Sequence, residues 1–327
     1  MNSSETENGF AAKRWSLKHR QTRLILYLVV VLGFAAWKFI PRPWHPTLTI
    51  ETDRHKIFST ATREQTDAVA HALNLLYAAY SNRFVALAGF QTSHHKMQLK
   101  LYKDRDELRK INPGLGWAEA FYSKPFCRAY YSAGEINPFH WMLHESVHQL
   151  NSEVAHLHLE KWLEEGLAEY FSGSRLQPAE LAVGQIDLNT YPVWWIDELA
   201  TTTNLTENLA NGSVIPLRAI ITNRGGPSMN RHFNLYYLHW WSLTYFIFES
   251  EAHRANAFKL LQRGGDLAAF EELIGPTEQV QADWHDYVRQ LKSDLRSGNI
   301  QRLYRKPKTA SPVVTNSPAA QIPPATH

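Results

Sequence analysis

Cysteine is nearly absent from this chain of 327 residues, because Cys127 is the only one in the sequence. A single thiol excludes an intramolecular disulfide and also excludes a zinc module built on cysteine ligands. A catalytic thiol would need a histidine partner and an activating environment. We therefore expect Cys127 to pack as a small apolar side chain.

The chain also has no large excess of positive or of negative charge. The chain has 34 Lys and Arg residues against 31 Asp and Glu residues, a net charge of +3, and the two signs are interleaved. A nucleic-acid-binding protein would concentrate its basic residues on one face. The composition therefore argues against a nucleic-acid partner, whereas an apolar content of 44% is enough for a sizeable core.

Long apolar runs are scarce, and the run that stands out covers residues 24–40. It is slightly shorter than the roughly 20 residues that a transmembrane helix needs. Basic residues in 1–23 outnumber those directly after the run, and this bias keeps the N-terminus in the cytoplasm. We predict a basic cytoplasmic tail (1–23) and a single-pass inner-membrane anchor (24–40), with the rest in a periplasm. A cleaved signal peptide and a buried core helix remain alternatives.

Hydrophobic periodicity divides the rest of the chain into a short mixed part and a longer helical part. After a proline-rich linker (41–47), we predict strands near 48–51, 97–101 and 129–132 and helices near 62–80 and 104–111. Further helices are predicted at 138–151, 160–172, 216–223, 232–250, 253–263, 266–273 and 277–296. The pattern predicts an α+β fold with a small N-terminal sheet in one domain (48–300). The Pro-, Ala- and Thr-rich tail (306–327) should be disordered.

The sequence His-Glu-Ser-Val-His, which begins at His144, lies on one of these predicted helices. Asn137 as the N-cap and Pro138 as the first helical residue would start that helix. His144 and His148 lie one turn apart on the same face, so both rings can bind one metal ion, which we expect to be zinc. Glu145 would lie beside the metal and remove a proton from a water molecule. The alternative is a surface helix that carries two histidines by chance.

A second acidic motif, Trp-Leu-Glu-Glu-Gly-Leu-Ala-Glu-Tyr, follows at residues 162–170. Together the two motifs resemble the gluzincin group of zinc metallopeptidases, and they are most similar to the peptidase-MA-like families of bacterial membrane and envelope proteins. The resemblance extends over about 48–295. It implies a zincin-like catalytic domain in which His144, His148 and Glu165 hold the zinc ion. It also implies a peptide or protein substrate, which would pair with an edge strand of the sheet.

The same resemblance implies a role for a tyrosine further along the chain. By its spacing to Trp241 and Leu243, Tyr237 matches a tyrosine whose hydroxyl donates a hydrogen bond to the oxyanion formed during catalysis. Tyr236 or His239 could take this role instead. The alternative is that these residues and their aromatic neighbours belong only to the core.

Other acids and histidines near the motifs have simpler expected roles. We expect Glu164 to lie on the solvated surface. Glu169 is either an acceptor for the ring N–H of a ligand histidine or an ordinary structural acid. His140, His156 and His158 are expected to cap helices or to lie on the surface.

These features predict zinc-dependent hydrolysis of peptide bonds at the outer face of the membrane. Two other functions would use a similar chain. One is a catalytically silent, zincin-like protein that is tethered to the membrane for binding or assembly. The other is hydrolysis of a non-peptide amide of the cell wall.

Overall fold

The fold combines a five-stranded sheet with a larger set of helices, which confirms the α+β class. The computed structural model describes residues 22–37, 43–87, 89–91, 95–116 and 118–297. The predicted tail (306–327), most of the basic segment and the end of the predicted anchor lie outside these residues.

Residues 22–37 form a helix, α1, whose side chains are almost all exposed. Its large apolar side chains include Leu24, 67% exposed, and Trp37, 61% exposed. Among the described residues, no helix is both long enough and apolar enough to cross a membrane.

The main sheet has the strand order β1-β2-β3-β5-β4. Its strands are β1 (Leu48–Glu51), β2 (His55–Ser59), β3 (Met97–Tyr102), β4 (Phe121–Ser123) and β5 (Phe126–Tyr130). The three central strands are parallel, and the edge strands β1 and β4 are antiparallel to their neighbours. The sequence predicts β1 and β3 and only the end of β5. It misses β2 because this strand buries the polar residues His55 and Ser59 where the pattern expects apolar ones.

With the exception of α6, the helices of the domain agree with the predicted set to within a few residues. They are α2 (Arg63–Phe84), α3 (Arg105–Ile111), α4 (His140–Glu153), α5 (Lys161–Ser172), α6 (Leu205–Asn211), α7 (Leu217–Thr222), α8 (Phe233–Glu249), α9 (Arg254–Gln262), α10 (Leu267–Leu273) and α11 (Thr277–Ser297). The hairpin of β6 (Ser174–Leu176) and β7 (Leu181–Ile186), the 3-10 helix Val193–Glu198 and α6 were not predicted.

The start of α4 differs from the prediction. The helix begins at His140, and Asn137 does not cap it. Instead the Asn137 Oδ1 accepts a hydrogen bond from the backbone N–H of Phe139, while its Nδ2 donates to Asp187 at 3.0 Å. The side chain of Asn137 therefore fixes the turn before α4, and its amide also ties this turn to the segment after β7.

The helices that carry the two motifs pack behind the sheet. α2 and α4 lie against one face of the sheet, and α5 packs between α4 and α8. Gly166 on α5 allows α8 to come so close that a Cβ at this position would lie 2.6 Å from the carbonyl oxygen of Trp240. The glycine of the second motif thus brings α8 beside α5. Cys127 is fully buried under α4, as expected for an apolar role, and its burial raises the pKa of the thiol.

Candidate metal centre

Two adjacent helices bring the three predicted metal ligands together. His144 and His148 point from α4, with their Nε2 atoms 3.1 Å apart. Glu165 points from α5, and its Oε2 lies 3.4 Å from the Nε2 of His144 and 3.8 Å from that of His148. One ligand atom from each residue lies within 4.8 Å of the others, so the three could hold one ion.

The outer nitrogens of the two rings each meet a further carboxylate. The Nδ1 of His144 lies 3.1 Å from the Oε1 of Glu169, and the Nδ1 of His148 lies 2.7 Å from the Oε1 of Glu164. A carboxylate at this position accepts the Nδ1–H and leaves the Nε2 lone pair of the ring free. Two such lone pairs 3.1 Å apart repel each other unless positive charge lies near both. The donor set therefore fits a metal cation.

The role expected for Glu164 is wrong. Its side chain is only 27% exposed, and it also accepts a hydrogen bond from Asn151 at 3.1 Å. α4 packs across α5 so that consecutive residues, Glu164 and Glu165, reach different atoms of the same histidine pair. Glu169 is fully buried and contacts His144, which favours the acceptor role over that of an ordinary acid.

The carboxylates set the electrostatics of the cluster. Burial alone would lower the pKa of His144, but Glu169 and Glu165 raise it well above its ordinary value. The pKa of His148 is raised as well, because the effect of Glu164 outweighs that of burial. Burial alone would raise the pKa of Glu165, yet the hydrogen bond to His144 and the charge of His148 lower it to about 2. The cluster therefore attracts positive charge into a buried site.

Glu145 lies beside the ligand set and is not part of it. Burial raises the pKa of its carboxyl group, although the charges of His148 and His144 act in the opposite direction. The backbone of Tyr122 also acts to lower the pKa of this carboxyl group, which places the acid near this residue. Because Tyr122 lies on the edge strand β4, the acid sits between the cluster and the free edge of the sheet.

Tyr237 reaches the cluster from α8. Its hydroxyl donates a hydrogen bond to the Oε2 of Glu165 at 3.1 Å, and its ring centroid lies 6.2 Å from that of His144. The two substitutes do not reach the cluster. Tyr236 donates to the carbonyl of Pro227, and both ring nitrogens of His239 are bound to the main chain.

The surface or capping role expected for His140 is wrong, since its side chain is only 1% exposed. It lies one turn before His144 on the same face of α4. Its Nε2 is 3.7 Å from the Oε2 of Glu169, and burial lowers its pKa to about 3. His156 and His158 are exposed in the loop between α4 and α5, as expected.

The sequence also misses Tyr191, which lies in the irregular segment after β7. Its ring contacts those of His140, Trp141 and Tyr237, and its hydroxyl donates to the Oδ1 of Asn234 at 3.3 Å. No periodicity marks such a position, because a residue in a loop contributes to a site only through the path of the folded chain.

A cavity of about 480 Å³ lies next to the aromatic side chains around Tyr191. Phe233 and Asn234 line it, and the same two residues contact Tyr237 and Tyr191. A second cavity, of about 540 Å³, lies between α7 and α10 and is lined by no residue of the cluster. Of these two cavities, only the first is therefore lined by residues that contact Tyr191 and Tyr237.

The comparisons with known proteins add no family to this picture. No family model matches the chain, and no curated protein matches it either.

Proposed function

We propose that this protein is a zinc-dependent hydrolase of peptide bonds, with a zincin-like catalytic domain held at the outer face of the inner membrane by α1. One observation carries the proposal. The two histidine rings turn their Nε2 atoms toward each other beside Glu165, while each Nδ1 lies within 3.1 Å of a carboxylate oxygen of another glutamate. A purely structural pair of histidines would have no need for this arrangement.

The ligands of the ion would be His144, His148 and Glu165. Two nitrogens and one carboxylate oxygen are a donor set that zinc accepts in catalytic sites. Glu164 and Glu169 would orient the two rings and increase their basicity. When bound, zinc polarises a substrate carbonyl and increases the acidity of water.

Glu145 would be the general base. Its raised pKa favours proton transfer near neutral pH, because an acid with a pKa closer to the working pH can both accept and release a proton. It would take a proton from the attacking water and later deliver one to the leaving amine. Its position beside the ligands supports this role.

Tyr237 would stabilise the oxyanion. Its hydroxyl lies one hydrogen bond from Glu165, so it is close to the place where negative charge develops. Burial raises the pKa of this hydroxyl well above its ordinary value, and Glu165 acts in the same direction. The group therefore stays protonated and can donate.

The edge strand β4 supports a peptide substrate. β4 pairs only with β5 among the described strands, so its other edge is free to accept an extended chain. The backbone of Tyr122 on this strand lies near enough to Glu145 to influence its pKa, so a peptide bound along β4 would pass the general base. A silent binding protein would have no use for a general base at this position.

The exposed apolar surface of α1 supports the anchor. Its large apolar side chains between Leu24 and Phe34 are 58–67% exposed, and basic residues precede it in the sequence. Such a helix is stable when lipid covers it. Such an anchor would place the catalytic domain in the periplasm.

Metal content of the full-length protein in mild detergent tests the proposal. We expect about one zinc per chain in the wild type and little or none in Glu165→Ala. His158→Ala is the control. This variant removes an exposed histidine from the loop between α4 and α5, and it should bind as much zinc as the wild type. A well-folded wild type that binds no added zinc would refute the proposal.

A further inference from the structure

The face of the main sheet that points away from α2 and α4 has an unusual composition. Alternate residues of β2 to β5 place Lys56, Phe58, Lys100, Phe121, Phe126 and Arg128 on this outer face. All six are half-buried. Within the described part of the chain, α3 is the helix that packs on this face, at the end where β3 and β5 finish.

Cations and aromatic rings alternate across the outer face. The Nζ of Lys100 lies 4.4 Å from the ring centroid of Phe126. The guanidinium carbon of Arg128 lies 5.2 Å from the same ring and 5.0 Å from that of Phe121. These cation–π contacts hold the charged groups flat against the sheet rather than extended into water.

Lys100 and Arg128 are directly opposite each other in the register of β3 and β5. Like charges in this position destabilise a sheet. In the described residues, neither of them forms an ion pair with a carboxylate, whereas Lys56 pairs with Glu51 at 2.9 Å. Burial and the charge of Arg128 lower the pKa of Lys100. An anion bound at this face would relieve the repulsion.

The connection to α1 keeps this face near the membrane, if α1 is the anchor proposed above. Trp44 packs at the same face, with its ring centroid 5.7 Å from the Nζ of Lys100 and 4.9 Å from the ring of Tyr102. The chain from Trp37 to Trp44 can span at most about 25 Å when fully extended. The outer face can therefore reach the lipid surface without any change in the domain.

We propose that the outer face of the main sheet docks on the anionic phospholipid headgroups of the membrane that holds α1. Lysine and arginine bind lipid phosphates, and aromatic rings favour the interface between headgroups and acyl chains. The metal cluster and α4 lie behind the opposite face of the sheet. Docking would therefore orient the domain with the cluster away from the lipid, and the proposal does not depend on catalysis.

The test uses the full-length protein in nanodiscs of either zwitterionic or anionic phospholipid, with lysine acetylation measured by mass spectrometry. We expect Lys56 and Lys100 to be acetylated at least about threefold more slowly in anionic nanodiscs. The exposed Lys259 on α9 should react equally in both. Equal reactivity of Lys100 in the two lipids would overturn the proposal. Recovery of the protein with zwitterionic nanodiscs tests separately whether α1 is an anchor. Zinc content tests separately whether the cluster binds metal.

Two variants and one additive sharpen the result. Arg128→Gln should remove most of the protection of Lys100, because one cation contributes roughly a fivefold factor to membrane affinity. Arg289→Gln removes an exposed arginine of α11 and should leave the protection unchanged. Protection by inorganic phosphate in zwitterionic nanodiscs would assign the face to a free anion and refute lipid docking. Protection that disappears when 306–327 are removed would assign it to the tail of the chain and refute docking as well.

Discussion

The histidines of α4 and the histidine of α8 are buried to a similar degree but have different partners. His144 is 5% exposed and His239 is 0% exposed. The Nδ1 of His239 donates to the carbonyl of Leu235 at 2.7 Å, and its Nε2 accepts the N–H of Ile215 at 3.0 Å. His144 and His148 instead meet carboxylates at Nδ1 and each other at Nε2.

This difference separates His239 from the two histidines that we propose as metal ligands. Burial lowers the pKa of His239 to about 4, because its partners are neutral and the charged ring has no compensation. At His144 the neighbouring carboxylates raise the pKa in spite of equal burial. The type of residue and its burial are the same, so only the charge of the partners decides whether the site accepts a cation.

The largest expected effect lies at Glu145, which contacts the cluster but binds no metal in our proposal. Glu145→Gln should lower peptidase turnover by at least about a thousandfold, because the amide cannot accept a proton. Zinc content should stay at the wild-type value, since the ligands are intact. Parallel measurement of cleavage and of bound zinc checks this, and full activity in the variant would remove Glu145 from the mechanism.

Tyr237→Phe should have the next largest effect. Loss of the hydroxyl should lower kcat by about a hundredfold with little change in KM, because the hydrogen bond would form with the oxyanion. Tyr236→Phe is the control, since its hydroxyl binds the main chain at Pro227. Steady-state kinetics of both variants decide between the catalytic role and simple core packing. Equal losses in the two variants would favour packing.

The third prediction concerns His239, the structural histidine of this comparison, and the dependence of stability on pH. Its pKa is about 4 in the folded protein and near its ordinary value of 6.5 in the unfolded chain. Between these values the unfolded state binds a proton that the folded state does not, so stability falls as the pH falls from 6.5 toward 4. The loss from this one group should reach about 3 kcal/mol.

Urea unfolding of the full-length protein at several pH values measures this loss. His239→Gln keeps a donor and an acceptor but does not titrate, so its stability should depend less on pH than that of the wild type. His55 and His140, whose pKa values are also lowered, should contribute to the slope that remains. Identical pH profiles for wild type and variant would contradict the assignment.

The smallest expected effect concerns the carboxylates behind the ligands. Glu164→Gln and Glu169→Gln should each weaken zinc affinity roughly tenfold, because the amide oxygen still accepts the Nδ1–H but carries no charge. Glu160→Gln, at the exposed start of α5, should leave the affinity unchanged. Competition with a chelator measures all three. Wild-type affinity in both cluster variants would mean that the carboxylates do not tune the site.

Much of the candidate site could be predicted from local spacing. The histidine pair is four residues apart on one helix, so helical geometry alone brings His144 and His148 together. Glu165 and Tyr237 were predicted from the resemblance of their motifs, and both side chains reach the cluster. Glu164 and His140 were misjudged, because their environments depend on which helix packs against them.

Periodicity within single segments is enough to predict the α+β class, most of the helices and the face of α4 that carries the cluster. Tertiary packing, in contrast, fixes which carboxylate meets which ring nitrogen, and it brings Tyr191 to the cluster from a loop. It also places Lys100 opposite Arg128 on the outer face of the sheet. Such contacts join residues far apart in the chain, and they depend on the register of strands and the packing of helices, which no local pattern encodes.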